Sequence, residues 1–130
     1  MIYKELAYKI AGCAMEVHKA LGQGFLESVY EEALKVELSF QGLNFESQKK
    51  FPIAYRGQEI KQFYCDLVVE EKIILELKAV RQLGDIERAQ VINYLKATGL
   101  ELALLINFGE KSLISESVVL SKNNKRNSRN

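Results

Sequence analysis

Long apolar runs are missing from this 130-residue chain, although 48% of its residues are hydrophobic. No window approaches the roughly 20 apolar residues that a helix needs to cross a bilayer. The opening MIYKELAYKI carries charges every few positions and lacks the apolar centre of a secretory signal. A soluble, cytoplasmic protein with no membrane association is therefore expected. Cysteine is scarce as well. Cys13 and Cys65 match no metal-ligand spacing and are too few for a disulfide framework, so reduced thiols are the simplest expectation. The single histidine, His18, reads as a helix-surface or interhelical group, with at most an indirect contact to a site. An excess of one charge is also absent: the formal net charge is +1, which excludes a protein held to nucleic acid by general attraction alone. Four of the 18 basic residues lie in the last ten, SKNNKRNSRN, which leaves residues 1–120 with 14 basic against 17 acidic, a net of −3. Any phosphate must then be bound by local groups. There is no internal repeat, and the only biased tract is that tail; residues 121–130 are expected to be disordered, and 1–120 to form one domain around one core.

The apolar residues that are present carry clear periods. Leu6, Ile10, Cys13, Ala14, Val17 and Leu21 recur at three- and four-residue steps, which predicts a helix from Tyr3 to Leu21 stopped by Gly22. A second helix is expected after Gly24, running to about Gln41. Its Leu26, Val29, Tyr30, Ala33, Leu34, Val36, Leu38 and Phe40 define a wide buried arc that includes Glu27, with Glu31, Glu32 and Lys35 outside it. Period two then takes over in FESQKKFPIAY and EIKQFYCDLVV, with RGQ as the turn between them. Glu70 and Glu71 turn the chain into KIILELKAV, a third strand. GDIERAQVINYLKATG predicts a third helix, LELALLIN a buried strand, and LISESVVL a last edge strand or short helix. The fold class is α/β, a central mixed sheet flanked by helices in the order ααβββαβ. Its first strands are antiparallel, and the strand after the third helix is able to return parallel.

The third strand, IILELKAV, raises a question of its own. Ile73, Leu75, Leu77 and Ala79 share one face, while Ile74, Glu76, Lys78 and Val80 share the other. With Glu71 at the centre of the preceding turn, Asp66 falls opposite Glu76, and directly opposed like charges destabilise a sheet. Either the face is solvent-exposed and the three charges form a surface ion-pair cluster, or the two carboxylates share a proton or a hard cation such as Mg²⁺ or Mn²⁺. The apolar neighbours Val68, Ile74 and Val80 on the same face argue against simple exposure.

Asp66 followed by Glu76-Leu77-Lys78 has the form D-x(n)-E-x-K, and here the sequence resembles the PD-(D/E)xK nuclease superfamily. The stretch GFLESVY, Gly24 to Tyr30, is similar to the signature for which the GxxExxY protein family is named. The resemblance implies a restriction-endonuclease-like core over roughly Tyr3 to Gly109. It implies that Asp66 and Glu76 are metal ligands for Mg²⁺ (or Mn²⁺), that Glu27 joins the metal site directly or through water, and that Lys78 orients or activates the attacking water and offsets charge on the phosphate. It also marks Gln90 and Tyr94 as the Gln-x-x-x-Tyr element of exonuclease-type members, Gln90 with a catalytic role and Tyr94 with a substrate-binding one. Cys65, where the name pattern has proline, is the departure.

Each of these residues has a structural alternative. Glu27 also suits a first-turn acid at a helix N-terminus, Gln90 and Tyr94 a hydrogen-bonding pair one turn apart, and Arg81 and Arg88 a solvated loop and helix face rather than substrate contacts. The implied function is metal-dependent hydrolysis of phosphodiester bonds in nucleic acid, DNA ahead of RNA, with Lys49, Lys50, Arg81 and Arg88 as local binding groups. The competing reading is a nuclease-fold module that binds nucleic acid or a protein partner without turnover, as a homodimer or within a larger complex. A structural protein whose charged strand is only a salt-bridge ladder is the third.

Overall fold

A computed structural model of the chain describes residues 2–120, and the basic tail lies outside the described residues. Two helices, α1 (Lys4–Leu21) and α2 (Glu27–Phe40), precede three strands, β1 (Phe45–Tyr55), β2 (Gln58–Val69) and β3 (Ile73–Lys78). Helix α3 (Asp85–Thr98) and strands β4 (Leu102–Asn107) and β5 (Ile114–Val119) complete the order ααβββαββ. LISESVVL is thus an edge strand. The five strands form one mixed sheet in the order β1-β2-β3-β4-β5, with β3 and β4 parallel and every other pair antiparallel. The parallel pair follows from α3, which provides the crossover that a short turn cannot. No helix among the described residues is long and apolar enough to cross a membrane.

Turn chemistry sets the register. Glu70 and Glu71 both take positive φ, 53° and 58°, and Lys72 N–H donates to the Val69 carbonyl at 3.0 Å. That is the twist a two-residue hairpin turn requires, here without glycine. With Lys72 as one further loop residue after that turn, Val69 stands opposite Ile73, Val68 opposite Ile74 and Leu67 opposite Leu75. At the other hairpin, Arg56 and Gly57 play the same part between β1 and β2. Pro52 is tolerated in β1 because β1 is an edge strand.

The two faces of β3 enter two cores. Ile73, Leu75 and Leu77 pack with Leu67, Val69, Leu104 and Ile106 beneath α1 and α2, where Ile10, Ala14, Tyr30, Leu34 and Leu38 meet them. Ile74 packs with Val68, Cys65, Ala103 and Leu105 beneath α3, against Val91 and Leu95. The expected arc on α2 is too wide. Tyr30, Leu34 and Leu38 are buried, but Leu26, Val29, Val36 and Phe40 are exposed, because α1 and the sheet together cover a single stripe at i, i+4, i+8. Glu27 is likewise exposed, not buried beside Leu34 and Leu38.

Candidate active site

The β2–β3 ladder stops one step before Asp66 and Glu76. Beyond Leu67 and Leu75, β2 continues with β1 as a long hairpin arm, while β3 continues with β4 to the Lys78–Asn107 pair. The strands part, and side chains take over the backbone bonds at the fork. Asp66 N–H donates to Glu76 Oε1 at 3.3 Å, and Leu77 N–H donates to Asp66 Oδ2 at 2.9 Å. Each carboxylate is thereby fastened to the opposite strand, and both are held at the point where the sheet opens.

The fork is not a surface. Glu76 is only 4% exposed, although it is ionisable and lies in a sheet face otherwise built of Ile74, Val68 and Val80. Burial above all, then the negative charge of Asp66, pushes its carboxyl up from an ordinary 4.5 to about 8, and Glu27 adds to the rise. The Asp66 N–H and the Lys78 ammonium pull in the other direction. Asp66 is raised too, chiefly by burial, against the Leu77 N–H, Lys78 and Gln48. The pair resists carrying two negative charges without further positive charge. Lys78 provides only part of it: its Nζ donates to Gln90 Oε1 at 2.9 Å, and among the described residues it forms no ion pair with either carboxylate. A salt-bridge ladder is therefore not what this strand carries.

Gln90 and Tyr94, four apart on α3, both turn toward the fork. Gln90 holds Lys78, and the Tyr94 phenol is pushed up to about 12, first by burial and then by Glu76, Cys65 and Asp66, with the Gln90 side chain pulling the other way. Tyr94 therefore stays a proton donor at neutral pH. The Cys65 thiol is also pushed up to about 12, first by burial and then by Glu76 and Asp66, which makes it inert packing beneath the site. Glu27 opens α2 near Glu76 in the first turn, where the helix N-terminus also favours an acid.

Not every expected residue joins the cluster. The Arg88 guanidinium makes two 2.8 Å bonds to Glu116 of β5 and lies 3.5 Å from Asp85, so its donors are already engaged away from the fork. Arg81 is exposed in the loop after β3. Lys49 pairs with Glu46 at 2.9 Å, and Lys50 is exposed on the arm.

Four other residues belong to the arrangement. Gln48 interrupts β1 with φ 51°, opposite Asp66 where the pairing register skips a step, and its Nε2 donates to Glu31 Oε1 at 3.0 Å. Its amide also favours the charged form of Asp66. Glu31, on the same face of α2 as Glu27 and one turn on, is raised chiefly by burial, with Asp66 adding to the rise. That i, i+4 spacing was the signal that could have found it. The backbone at the end of β3 is held by Asn107, fully buried, whose Oδ1 accepts from Val80 N–H at 3.0 Å and whose Nδ2 donates to the Val80 carbonyl at 2.9 Å. Gly109 lies so close that a Cβ there would stand 2.3 Å from the Val80 oxygen. An asparagine closing an otherwise apolar strand was its signal in the sequence.

Tyr30 explains the end of the GFLESVY stretch. Its hydroxyl donates to the Gly22 carbonyl at 2.5 Å and accepts from Phe25 N–H at 3.2 Å, and its ring stacks on Phe108 at 4.5 Å. The loop that delivers Glu27 is thereby tied to the core. His18 takes a structural place as well, with Nε2 2.9 Å from the Glu110 carbonyl.

Among the described residues no three carboxylate, imidazole or thiol groups are gathered tightly enough to hold a metal ion. The Asp66–Glu76 pair nonetheless fits a hard cation by its chemistry. It offers only oxygen donors, it is short of positive charge, and Glu27 and Glu31 add acidic character from α2.

No curated protein matches the chain. Among solved structures, the crystal structure of SSO0001 is similar in fold, with a TM-score of 0.54 and 16% identity, over 78% of this chain and 55% of that one. The chain thus spans about half the length of that protein. A family model described as the PD-(D/E)XK nuclease superfamily matches residues 4–118, a span that holds both helices before the sheet, the fork and α3. On that match, and on the αα-sheet-α architecture that carries it, the chain belongs to the PD-(D/E)XK nuclease superfamily.

Proposed function

We propose that the protein is a metal-dependent nuclease that hydrolyses phosphodiester bonds at the fork between β2 and β3. The observation that carries this reading is the burial of Glu76 beside Asp66, with Lys78 Nζ held by Gln90 on the same face. Asp66 and Glu76 would hold Mg²⁺ or Mn²⁺, with Glu27 as the third acid at the rim. When bound, such a cation polarises the phosphate and lowers the pKa of a water molecule. Lys78 places a positive charge where negative charge grows during the displacement, and Gln90 keeps that ammonium oriented. The Tyr94 phenol, protonated at neutral pH, is a hydrogen-bond donor to a phosphate oxygen or the water. Superfamily membership supports nucleic acid as the substrate class, with DNA ahead of RNA.

The test combines calorimetric titration with Mg²⁺ and Mn²⁺ and hydrolysis of single- and double-stranded DNA and RNA. It compares the wild type with Asp66→Asn, Glu76→Gln and Lys78→Ala. The nuclease reading expects cation binding and cleavage to disappear in the two carboxylate variants, and cleavage to fall by about 10²–10³-fold in Lys78→Ala. Cation-independent binding of nucleic acid with no cleavage would instead support the module that binds without turnover. A wild type that neither binds a divalent cation nor cleaves any of the four substrates sinks the proposal.

A further inference from the structure

Helix α3 fully buries only Val91 and Leu95. A second stripe on it, Gln90, Asn93, Tyr94 and Ala97 at i, i+3, i+4 and i+7, faces sideways toward the hairpin arm of β1 and β2. Between helix and arm lies a groove of about 760 Å³, with Pro52, Ile53, Ala54 and Phe63 on the arm side. Its size is within the range of sites that take small organic groups. Gln90, the residue that holds the Lys78 ammonium, is also part of the groove's lining, so groove and candidate active site share a side chain.

The lining has a specific chemistry. Tyr94 and Phe63 stack with ring centroids 4.6 Å apart and planes 19° from parallel, and Phe51 continues the stack at 5.7 Å and 26°. Phe63 is stacked on both neighbours, so the rings join the arm to the helix, and Phe63 and Tyr94 present aromatic surface to the groove. The small side chains of Ala54 and Ala97 leave open space beyond it. Asn93 adds an amide that both donates and accepts, Lys96 adds a positive charge, and no carboxylate is among the lining residues. A planar heteroaromatic ring with polar edges and a phosphate attached matches this combination better than an aliphatic ligand does.

We infer that the groove holds an unstacked base of a single-stranded nucleic acid, with the adjoining phosphate at Lys78, so that single strands and frayed ends are bound in preference to intact duplex. This rests on the nuclease reading for the class of polymer and adds which form of it the site accepts. The physical reason is access: a base inside a duplex is stacked on both sides and cannot enter the groove without being pulled out of the helix. Stacking on aromatic rings strengthens binding of any base, so the preference is for strandedness rather than sequence. It also provides affinity that the body's net charge of −3 over residues 1–120 cannot. Binding should accordingly depend only weakly on salt.

The decisive measurement is fluorescence anisotropy with labelled dT12 and a blunt dT12·dA12 duplex, without divalent cation so that nothing is cleaved. It uses the full chain and the groove-filling variants Ala97→Trp on α3 and Ala54→Trp on the arm. The wild type should bind dT12 about tenfold or more tightly than the duplex. Either variant should remove that preference while leaving duplex binding and the thermal midpoint unchanged. Two walls are altered separately so that misfolding of one variant does not decide the outcome. Equal affinity for the two probes, or dT12 binding untouched by both substitutions, overturns the inference. So does a dimer that either variant converts to monomer, because a second copy would then be the occupant. Failure here with Asp66-dependent cleavage intact removes the groove alone, whereas loss of all cleavage with strand preference intact removes the nuclease reading alone.

Discussion

The face of the sheet beneath α1 and α2 and the face beneath α3 are built from the same strands yet finished differently. Under the two helices, Leu67, Leu75, Leu77, Leu104 and Ile106 meet Ile10, Tyr30 and Leu34 in a layer free of charged groups. Under α3 a single helix covers Ile74, Val68 and Leu105 and leaves the fork and the groove at its edge. One face has two covering partners, and its polar atoms, the Tyr30 hydroxyl and the His18 ring, are tied to the backbone. The other has one, and its margin is where Asp66, Glu76, Lys78, Gln90 and Tyr94 converge. Incomplete cover is what allows a buried carboxylate to stand near an open groove.

This contrast can be broken or sharpened by substitution. The largest effect should come from the closed face: Leu75→Ala is expected to cost about 2–5 kcal/mol in urea unfolding, because no neighbour can move in to fill the space. On the open face, Lys78→Ala should change activity rather than stability, lowering cleavage by about 10²–10³-fold with the urea midpoint nearly unchanged. A large loss of stability in that variant would mean that Lys78 is structural and the contrast is wrong.

Glu76 should make the metal-free protein sensitive to alkali. Folded, it keeps its proton to about pH 8, whereas an ordinary glutamate releases it near 4.5. Between those values the native state binds more protons than the unfolded state, so stability should fall as pH rises, by on the order of a few kcal/mol across the window. Glu76→Gln should flatten that slope, and saturating Mg²⁺ should do the same in the wild type. An unchanged slope in the variant would assign it to another group.

Tyr30→Phe keeps the ring stack on Phe108 and removes the hydroxyl that joins Gly22 to Phe25, so a loss of about 1 kcal/mol by thermal unfolding is expected. The smallest effect belongs to Arg88→Gln. Its bonds to Glu116 are solvent-accessible, and neither the unfolding midpoint nor cleavage should move measurably.

Much of this arrangement was legible in the sequence because it depends on local chemistry. The non-glycine turn at Glu70 and Glu71 sets the register that puts Leu67 opposite Leu75, and from it the juxtaposition of Asp66 and Glu76 follows by counting. The two faces of β3 followed from period two in the same way. Other features were not legible. Apolar periodicity marks which side of a helix is able to be buried, not how wide its partner is, and so Leu26, Val36 and Phe40 read as core although they are exposed. Gln48 sits within an unbroken period-two run, and nothing nearby marks its left-handed backbone. The interruption has meaning only across the ladder, where it turns the amide toward Glu31 and Asp66.

The amino-acid sequence alone determined the order of elements, the alternation that sets Glu76 and Lys78 on one face, and the turn that brings Asp66 across from them. The tertiary structure alone decided that the face is buried rather than wet. That outcome depends on α2, β1 and α3 reaching one fork from distant parts of the chain. Burial and the fields of these distant groups set the proton affinity of Glu76, and neither can be read from the residues beside it.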